Sequence, residues 1–262
     1  MKIHHLNCGT LKPVFPDVEA IVYCLLVETK EGPVLVDTGF GTRDYSQPSR
    51  KMRFFLNWMG VPMDPEQCAI HQVKNLGFQP EDVQEIIQTH LHIDHAGGLP
   101  DFPWARVHVF HKEYKAIQAP KGLMEFAYIQ EHWAHQPKWV LHESPVVDWF
   151  GMEAIPVLQT GEIEFLFIPL PGHTRGHCAV AIGKPGNWLL HCGDAASPFY
   201  QGSDLHQRGK SAYLLNFFPD RLASRILGGH TQRLRELLAK HGDEIKAVSA
   251  HDIYSFQEYN AE

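Results

Sequence analysis

No Cys-x-x-Cys pair occurs in this sequence, and its five cysteines, Cys8, Cys24, Cys68, Cys178 and Cys192, are an odd number. A disulfide framework is therefore disfavoured, and reduced thiols in a cytoplasmic protein are expected. Long apolar runs are missing as well. Nothing approaches the roughly 18 consecutive apolar residues that crossing a bilayer requires. The start, Met1-Lys2-Ile3-His4-His5-Leu6-Asn7, lacks the continuous apolar core of a secretory signal. Excess positive charge is absent too: 23 Lys and Arg against 30 Asp and Glu leave a net charge of -7. Basic residues gather only in short patches such as Arg50, Lys51 and Arg53. These absences argue against a membrane and against nucleic acid as partners. There is no Ser- or Gly-rich linker, no low-complexity stretch and no repeat with a period of roughly 20–50 residues. One domain spanning residues 1–262 is the simplest reading.

What the chain has in quantity is histidine, 18 residues against 23 Lys and Arg. Histidine is the commonest metal ligand and the usual proton carrier near neutral pH, so position must sort these residues. An isolated histidine is most often a solvated or hydrogen-bonded side chain. That reading is taken for His4, His5, His71, His108, His111, His132, His135, His142, His206, His230 and His241.

The pattern of apolar residues predicts strands over residues 20–29 and 33–36, joined by a Lys30-Glu31-Gly32 turn. A helix is expected over 65–76 with Asp64 as its N-cap and Gly77 at its end. Further strands are expected over 85–89, 106–110, 162–170, 178–182, 188–191 and 246–250, and further helices over 111–118, 123–135 and 231–240. Grouped strands with intervening helices suggest mixed sheets covered by helices on the outside. The regularity that matters is that candidate ligands fall at the C-terminal ends of these strands, where a rigid scaffold fixes the loops that carry chemistry.

The strongest signal is Thr89-His90-Leu91-His92-Ile93-Asp94-His95-Ala96-Gly97-Gly98. His90 and His92 are two apart, so on an extended segment both imidazoles point the same way. Asp94 and His95 follow on a turn, and four ligands in six residues exceed what one ion needs from a single loop. A catalytic zinc takes about three protein ligands plus water, whereas two ions about 3.5–4 Å apart need six or seven ligands, a bridging carboxylate among them. Three later segments can supply the rest: Pro171-Gly172-His173-Thr174, Cys192-Gly193-Asp194-Ala195 and Ser249-Ala250-His251-Asp252. Two such cations would lower the pKa of a shared water toward neutrality and polarise a carbonyl, so no Ser or Cys nucleophile is required.

This ordered set resembles the metallo-β-lactamase superfamily over nearly the whole chain, from about Ile21 to His251. Within it the pattern is most similar to N-acyl homoserine lactone lactonases, on the stretches Glu31 to Gly39, His90 to Gly98, Pro171 to His177 and His251-Asp252. The resemblance implies an α+β fold, a four-layer αββα sandwich of two mixed sheets flanked by helices. It implies two divalent cations, zinc first, with iron and manganese as alternatives. His90, His92 and His173 would hold one; Asp94, His95 and His251 would hold the other; Asp194 would bridge them. Asp94 is also the candidate to pass a proton to the leaving group. Asp37, in Asp37-Thr38-Gly39, would support the metal loop from behind, and His177 would hold the His173 loop rather than bind metal. Cys192 and His191 are read as packing.

Ser197 stands where those lactonases usually carry a tyrosine, and Tyr200, three residues on, is the candidate substrate contact in its place. Three aromatic segments, Phe54 to Met59, Phe126 to Trp139 and Phe199 to Tyr213, could wall an apolar pocket, form a homodimer contact or fill the core. The expected activity is opening of a lactone or related ester of a small molecule. Thioester hydrolysis of the glyoxalase II type stays open, because it uses the same seven ligands. So do a mononuclear iron persulfide dioxygenase using His90, His173 and Asp194, and a noncatalytic metal-stabilised binding protein.

Overall fold

The computed structural model describes residues 1–14, 19–121, 124–144, 147–195 and 230–261. Strand β2 (Ala20–Glu28) is apolar at every position but the last, and all of Ala20 to Val27 is buried. The cause is that both of its faces are covered. Ile21, Tyr23, Leu25 and Val27 point into one cluster, and Ala20, Val22, Cys24 and Leu26 into another, which is the two-residue period of a strand.

Six strands form the first sheet in the order β1 (Lys2–Leu11), β2, β3 (Val34–Val36), β4 (Glu85–Ile87), β5 (Arg106–Phe110) and β6 (Lys138–His142). Pairing is antiparallel from β1 to β3 and parallel from β3 to β6. The second sheet runs β12 (Ile245–Val248), β11 (Asn187–His191), β10 (Cys178–Lys184), β9 (Ile163–Pro169), β8 (Met152–Thr160) and β7 (Val147–Trp149). Only its β11–β12 pair is parallel. The sheets face each other across a cluster in which Tyr23, Val36, Ile87 and Phe110 meet Phe165, Phe167, Val180 and Val248. The outer face of the first sheet packs on Met52, Leu56, Val73, Ala116 and Ile117, which come from helices. That of the second packs on Leu234 and Leu237 of the helix Thr231–His241. The result is the αββα sandwich. Phe167 is fully buried between the sheets, so Phe167→Ala would cost about 3–5 kcal/mol.

Several elements depart from the sequence expectations. The helix expected over 65–76 is a 3-10 turn, Pro65–Gln67, followed by a helix, Ala69–Asn75; Asp64 caps the former by accepting from Glu66 N. Residues 124–133 form two 3-10 turns, Met124–Ala127 and Gln130–Trp133, rather than one helix. Here tertiary bonds take the backbone: Ala127 O accepts from Ile93 N, and Lys51 Nζ donates to the carbonyls of Phe126 and Tyr128. Phe54, Phe55 and Trp58 lie on a helix, Arg50–Trp58, where the sequence pattern predicts no element. Strands β1, β6, β7 and β8 were not expected, nor was the C-terminal helix Ile253–Tyr259.

The topology puts the loops that matter on one edge. Strands β3 and β4 are parallel, so Asp37 and His90 leave the first sheet on the same side. In the second sheet β9 runs antiparallel to β10, and β10 antiparallel to β11, so β9, β11 and β12 all point one way. His173, Asp194 and His251 follow those three strands.

Candidate metal centre

Seven side chains from the two sheets converge at that edge. Their potential ligand atoms fall into three overlapping groups, each within 4.8 Å: His90, His92 and His173; His90, His95 and Asp194; Asp94, His95 and His251. Asp194 lies between the first and last. Its Oδ2 faces His173 Nε2 at 3.1 Å and His90 Nε2 at 4.0 Å. Its Oδ1 faces His95 Nε2 at 3.3 Å and His251 Nε2 at 3.4 Å. Asp94 closes the second group, 3.6 Å from His251 Nε2 and 3.9 Å from His95 Nε2. All seven sequence-predicted ligands are therefore brought together. His251 is the most open of them, with 27% of its side chain exposed, whereas His90 is fully buried.

Hydrogen bonds behind the centre decide which ring nitrogen faces inward. His251 Nδ1 donates to Ile21 O at 2.8 Å, and a carbonyl can only accept. His95 Nδ1 lies 2.9 Å from Asp37 Oδ2 and donates to that carboxylate. The same carboxylate accepts from Thr89 N and Thr89 Oγ1, both at 2.8 Å. With its proton spent on Asp37, Thr89 Oγ1 can accept from His90 Nδ1 at 3.1 Å. In all three rings Nδ1 carries a proton, so Nε2 is the nitrogen turned toward the other ligands, the one that metal-binding histidines would offer to an ion. Asp37 holds a positive φ of 57°, uncommon for a residue other than glycine. Strain at that turn fits its task of reaching three donors at once.

The donor set fits divalent cations. His90 Nε2, His95 Nε2 and Asp194 Oδ1 are buried with no hydrogen-bond partner. His173 Nε2 approaches His92 Nδ1 to 2.9 Å. Buried lone pairs turned toward one another are costly unless something positive lies between them. Imidazoles with carboxylates suit zinc, iron or manganese.

Charge separates the groups further. Burial pushes His90 and His92 well below the usual histidine value, helped by the neighbouring rings. Burial opposes protonation of His251 and His95 too, but Asp194 and Asp94 outweigh it, bringing His251 up to about 9 and His95 well above normal. Burial disfavours the Asp194 carboxylate, yet His251, His95 and His173 keep it well below its usual value.

His177, expected to hold the His173 loop, has its side chain turned to the Asp194 loop instead. Its Nε2 accepts from Asp194 N at 2.9 Å, and burial keeps the ring neutral, with a pKa of about 3. A Cβ at Gly193, where φ is 52°, would stand 2.6 Å from that same nitrogen, so only glycine fits. His191, read from sequence as packing, also positions the loop: its Nδ1 accepts from Gly193 N at 3.2 Å while Nε2 donates to Tyr23 O. Glu113, Tyr128 and Glu125 were missed. Glu125 is buried and makes a two-pronged pair with Arg175 beside His173, at 2.6 and 3.0 Å. An acid on one segment and a base 50 residues later carry no local signal of pairing. Tyr200, Ser197, Phe199, His206 and Tyr213 lie outside the described residues.

Comparison with known proteins follows the same lines. The sequence model of the Metallo-beta-lactamase superfamily matches residues 18–250. The chain belongs to that superfamily. A probable metallo-hydrolase of Mycobacterium tuberculosis is 36% identical over 260 residues, 96% of this chain and 80% of the relative. An N-acyl homoserine lactonase from a Bacillus species is 32% identical over 172 residues, 64% of this chain but only 62% of that enzyme. Among solved structures, an N-acyl homoserine lactone hydrolase with the product N-hexanoyl-L-homoserine bound at its catalytic metal centre aligns with a TM-score of 0.65. The identity is 22%, covering 98% of this chain and 95% of the other. A probable metal-dependent hydrolase from Staphylococcus aureus gives the same TM-score at 20% identity, covering 96% and 89%. These structural likenesses establish the fold.

Proposed function

We propose that this chain is a metal-dependent hydrolase that opens a lactone or related ester of a small molecule, using two divalent cations, zinc first. His90, His92 and His173 would hold one ion, Asp94, His95 and His251 the other, with Asp194 shared. The observation that carries the reading is the placement of Asp194, one oxygen turned to each set of histidines. The lactone preference draws on the Bacillus relative.

When bound, the cations would supply Lewis acidity, polarising an ester carbonyl and lowering the pKa of water. The protein does the rest. Asp37 and Thr89 keep His90 and His95 in the ligand tautomer. The buried, neutral rings of His90 and His92 leave no proton to displace at neutral pH. Asp94 Oδ2, on the more open side with His251, would take the proton released by the attacking water and pass it to the leaving oxygen. Cysteine is unsuited to the attack: all five thiols are free and buried, and burial pushes Cys68, Cys178 and Cys192 well above the normal thiol range. Tyr200 is proposed to contact the substrate, and a cytoplasmic location accords with the free thiols.

Metal analysis combined with a substrate panel tests the reading. Two ions per chain and turnover of lactones of varied acyl length are expected. One iron per chain with oxygen uptake and no hydrolysis would reject it for an oxygenase. Preference for thioesters over lactones would move it to the glyoxalase II type.

A further inference from the structure

Glu113 is the third residue of the helix His111–Gln118, fully buried, and touches none of the seven ligands' inward-facing atoms. Its carboxylate receives four donors, two on each oxygen. Oε1 accepts from Leu91 N at 2.9 Å and from Tyr128 Oη at 2.8 Å. Oε2 accepts from Thr174 Oγ1 at 2.6 Å and from Gly176 N at 3.2 Å. Leu91 is the residue between His90 and His92; Thr174 follows His173 directly. One carboxyl group thus spans the turn that leaves the first sheet and the loop that leaves the second.

Two further observations point the same way. A Cβ on Gly176 would collide with the Glu113 backbone, so the His173 loop is pressed against the start of this helix with no room for a side chain. Tyr128, held by Glu113, sets its ring against His92, with centroids 5.3 Å apart and the planes tilted by 54°. No comparable side chain among the described residues ties Asp94 or His251 to this group. An ion pair here would be costly to bury, whereas four neutral donors satisfy a carboxylate without a second charge.

We infer that Glu113 is a positioning residue for the three-histidine half of the centre, setting the separation of His90 and His92 from His173 by holding both loops on one carboxylate. The inference rests on the two-cation reading above. It predicts that loss of Glu113 weakens one ion and spares the other, because Asp94, His95 and His251 are anchored elsewhere, His95 by Asp37 and His251 by Ile21 O.

Cobalt(II) titration of the metal-depleted protein, followed by its visible absorption and by competition with a chelator, reads both ions. Glu113→Ala should weaken one equivalent by about 10–100-fold, the usual cost of losing a group that orients a ligand, and leave the second within a few-fold of wild type. Glu113→Gln keeps one acceptor oxygen and should fall between the two. Should Glu113→Ala fail to fold, Thr174→Val and Tyr128→Phe each remove one donor from one side and should give the same selective loss, several-fold in size. Equal weakening of both equivalents would mark a general structural role and overturn the inference, as would wild-type binding in all four variants. Wild-type protein that binds no cobalt would overturn the two-cation reading and the inference with it. Wild-type protein with two equivalents and unaffected variants would overturn the inference alone.

Discussion

Among the described residues, two groups that each join several histidines to a carboxylate make an instructive pair, and one of the two is built to hold metal. At the sheet edge, the Nε2 atoms of His90, His95 and His251 all face Asp194 within 4.0 Å. Within the first sheet, Glu85, His108 and His142 lie on neighbouring strands β4, β5 and β6. There Glu85 Oε2 meets His108 Nε2 at 2.7 Å, His108 Nδ1 meets His142 Nε2 at 3.0 Å, and the two rings stack. Each contact in this row uses up a donor and an acceptor, and the chain of contacts is linear. Arg106 takes the other Glu85 oxygen. The difference teaches that residue type does not make a metal site. Convergence of lone pairs does, and it depends on what holds the opposite nitrogen of each ring.

Exchanging the same residue type between the regions should give opposite results. His92→Ala or Asp94→Ala should reduce turnover to the level of free metal, with a melting temperature near that of wild type. His142→Gln should keep two ions and full turnover. Steady-state assays and metal analysis on the purified variants decide this. Turnover surviving in both site variants would remove those residues from the mechanism.

A smaller effect is expected at Asp37, which binds no ion in this reading. Asp37→Asn keeps shape but turns a strong acceptor into a group with only one acceptor oxygen for Thr89 N, Thr89 Oγ1 and His95 Nδ1. About 10–100-fold lower metal affinity is expected, read by chelator competition. An unchanged affinity would mean that the backbone bond from Thr38 N to His95 O, 2.9 Å long, suffices to hold the loop. The analogous change in the other region, Glu85→Gln, should leave metal affinity alone.

The contrast between the regions also explains what could be read from the sequence. The His90-to-His95 spacing, and the later candidates each placed after a strand, are local patterns, so all seven side chains that converge at the sheet edge were legible. Mixed sheets covered by helices followed from the grouping of the elements and the four-layer sandwich from the family resemblance; the apolar runs of β2 and β10, buried on both faces, accord with it. Strand β1 was not legible because its alternation is carried by His4, Leu6 and Cys8, with polar residues between them. The helix Arg50–Trp58 buries only Met52 and Leu56, too narrow a stripe to announce itself. Partnerships across the fold left no trace at all. Asp44 and His132, 88 residues apart, form a buried 2.9 Å contact that neither neighbourhood foretells. Glu113 was hidden for the same reason, since its donors come from three separate segments.

The smallest expected effect concerns acid. His142 is half-buried beside His108, and burial first, then that neighbour, lower its pKa to about 4 from an ordinary value of 6.5. In the unfolded chain the ring takes up a proton as pH falls through about 6.5, while the folded ring stays neutral until about 4. The unfolded state then binds more protons, so stability falls with falling pH through that window and levels off below it. Replacing the ring by glutamine deletes this contribution but leaves the others that act in the same range, His5 among them. The drop in melting temperature between pH 7 and pH 5 should therefore shrink in His142→Gln without vanishing. Loss of metal from the sheet-edge centre would weaken both proteins alike, so the difference between them isolates the ring. Parallel melting curves for variant and wild type across that range would mean that the His108–His142 row accepts its proton in the folded state. In that case the contrast between a linear row and a converging site would hold for geometry alone.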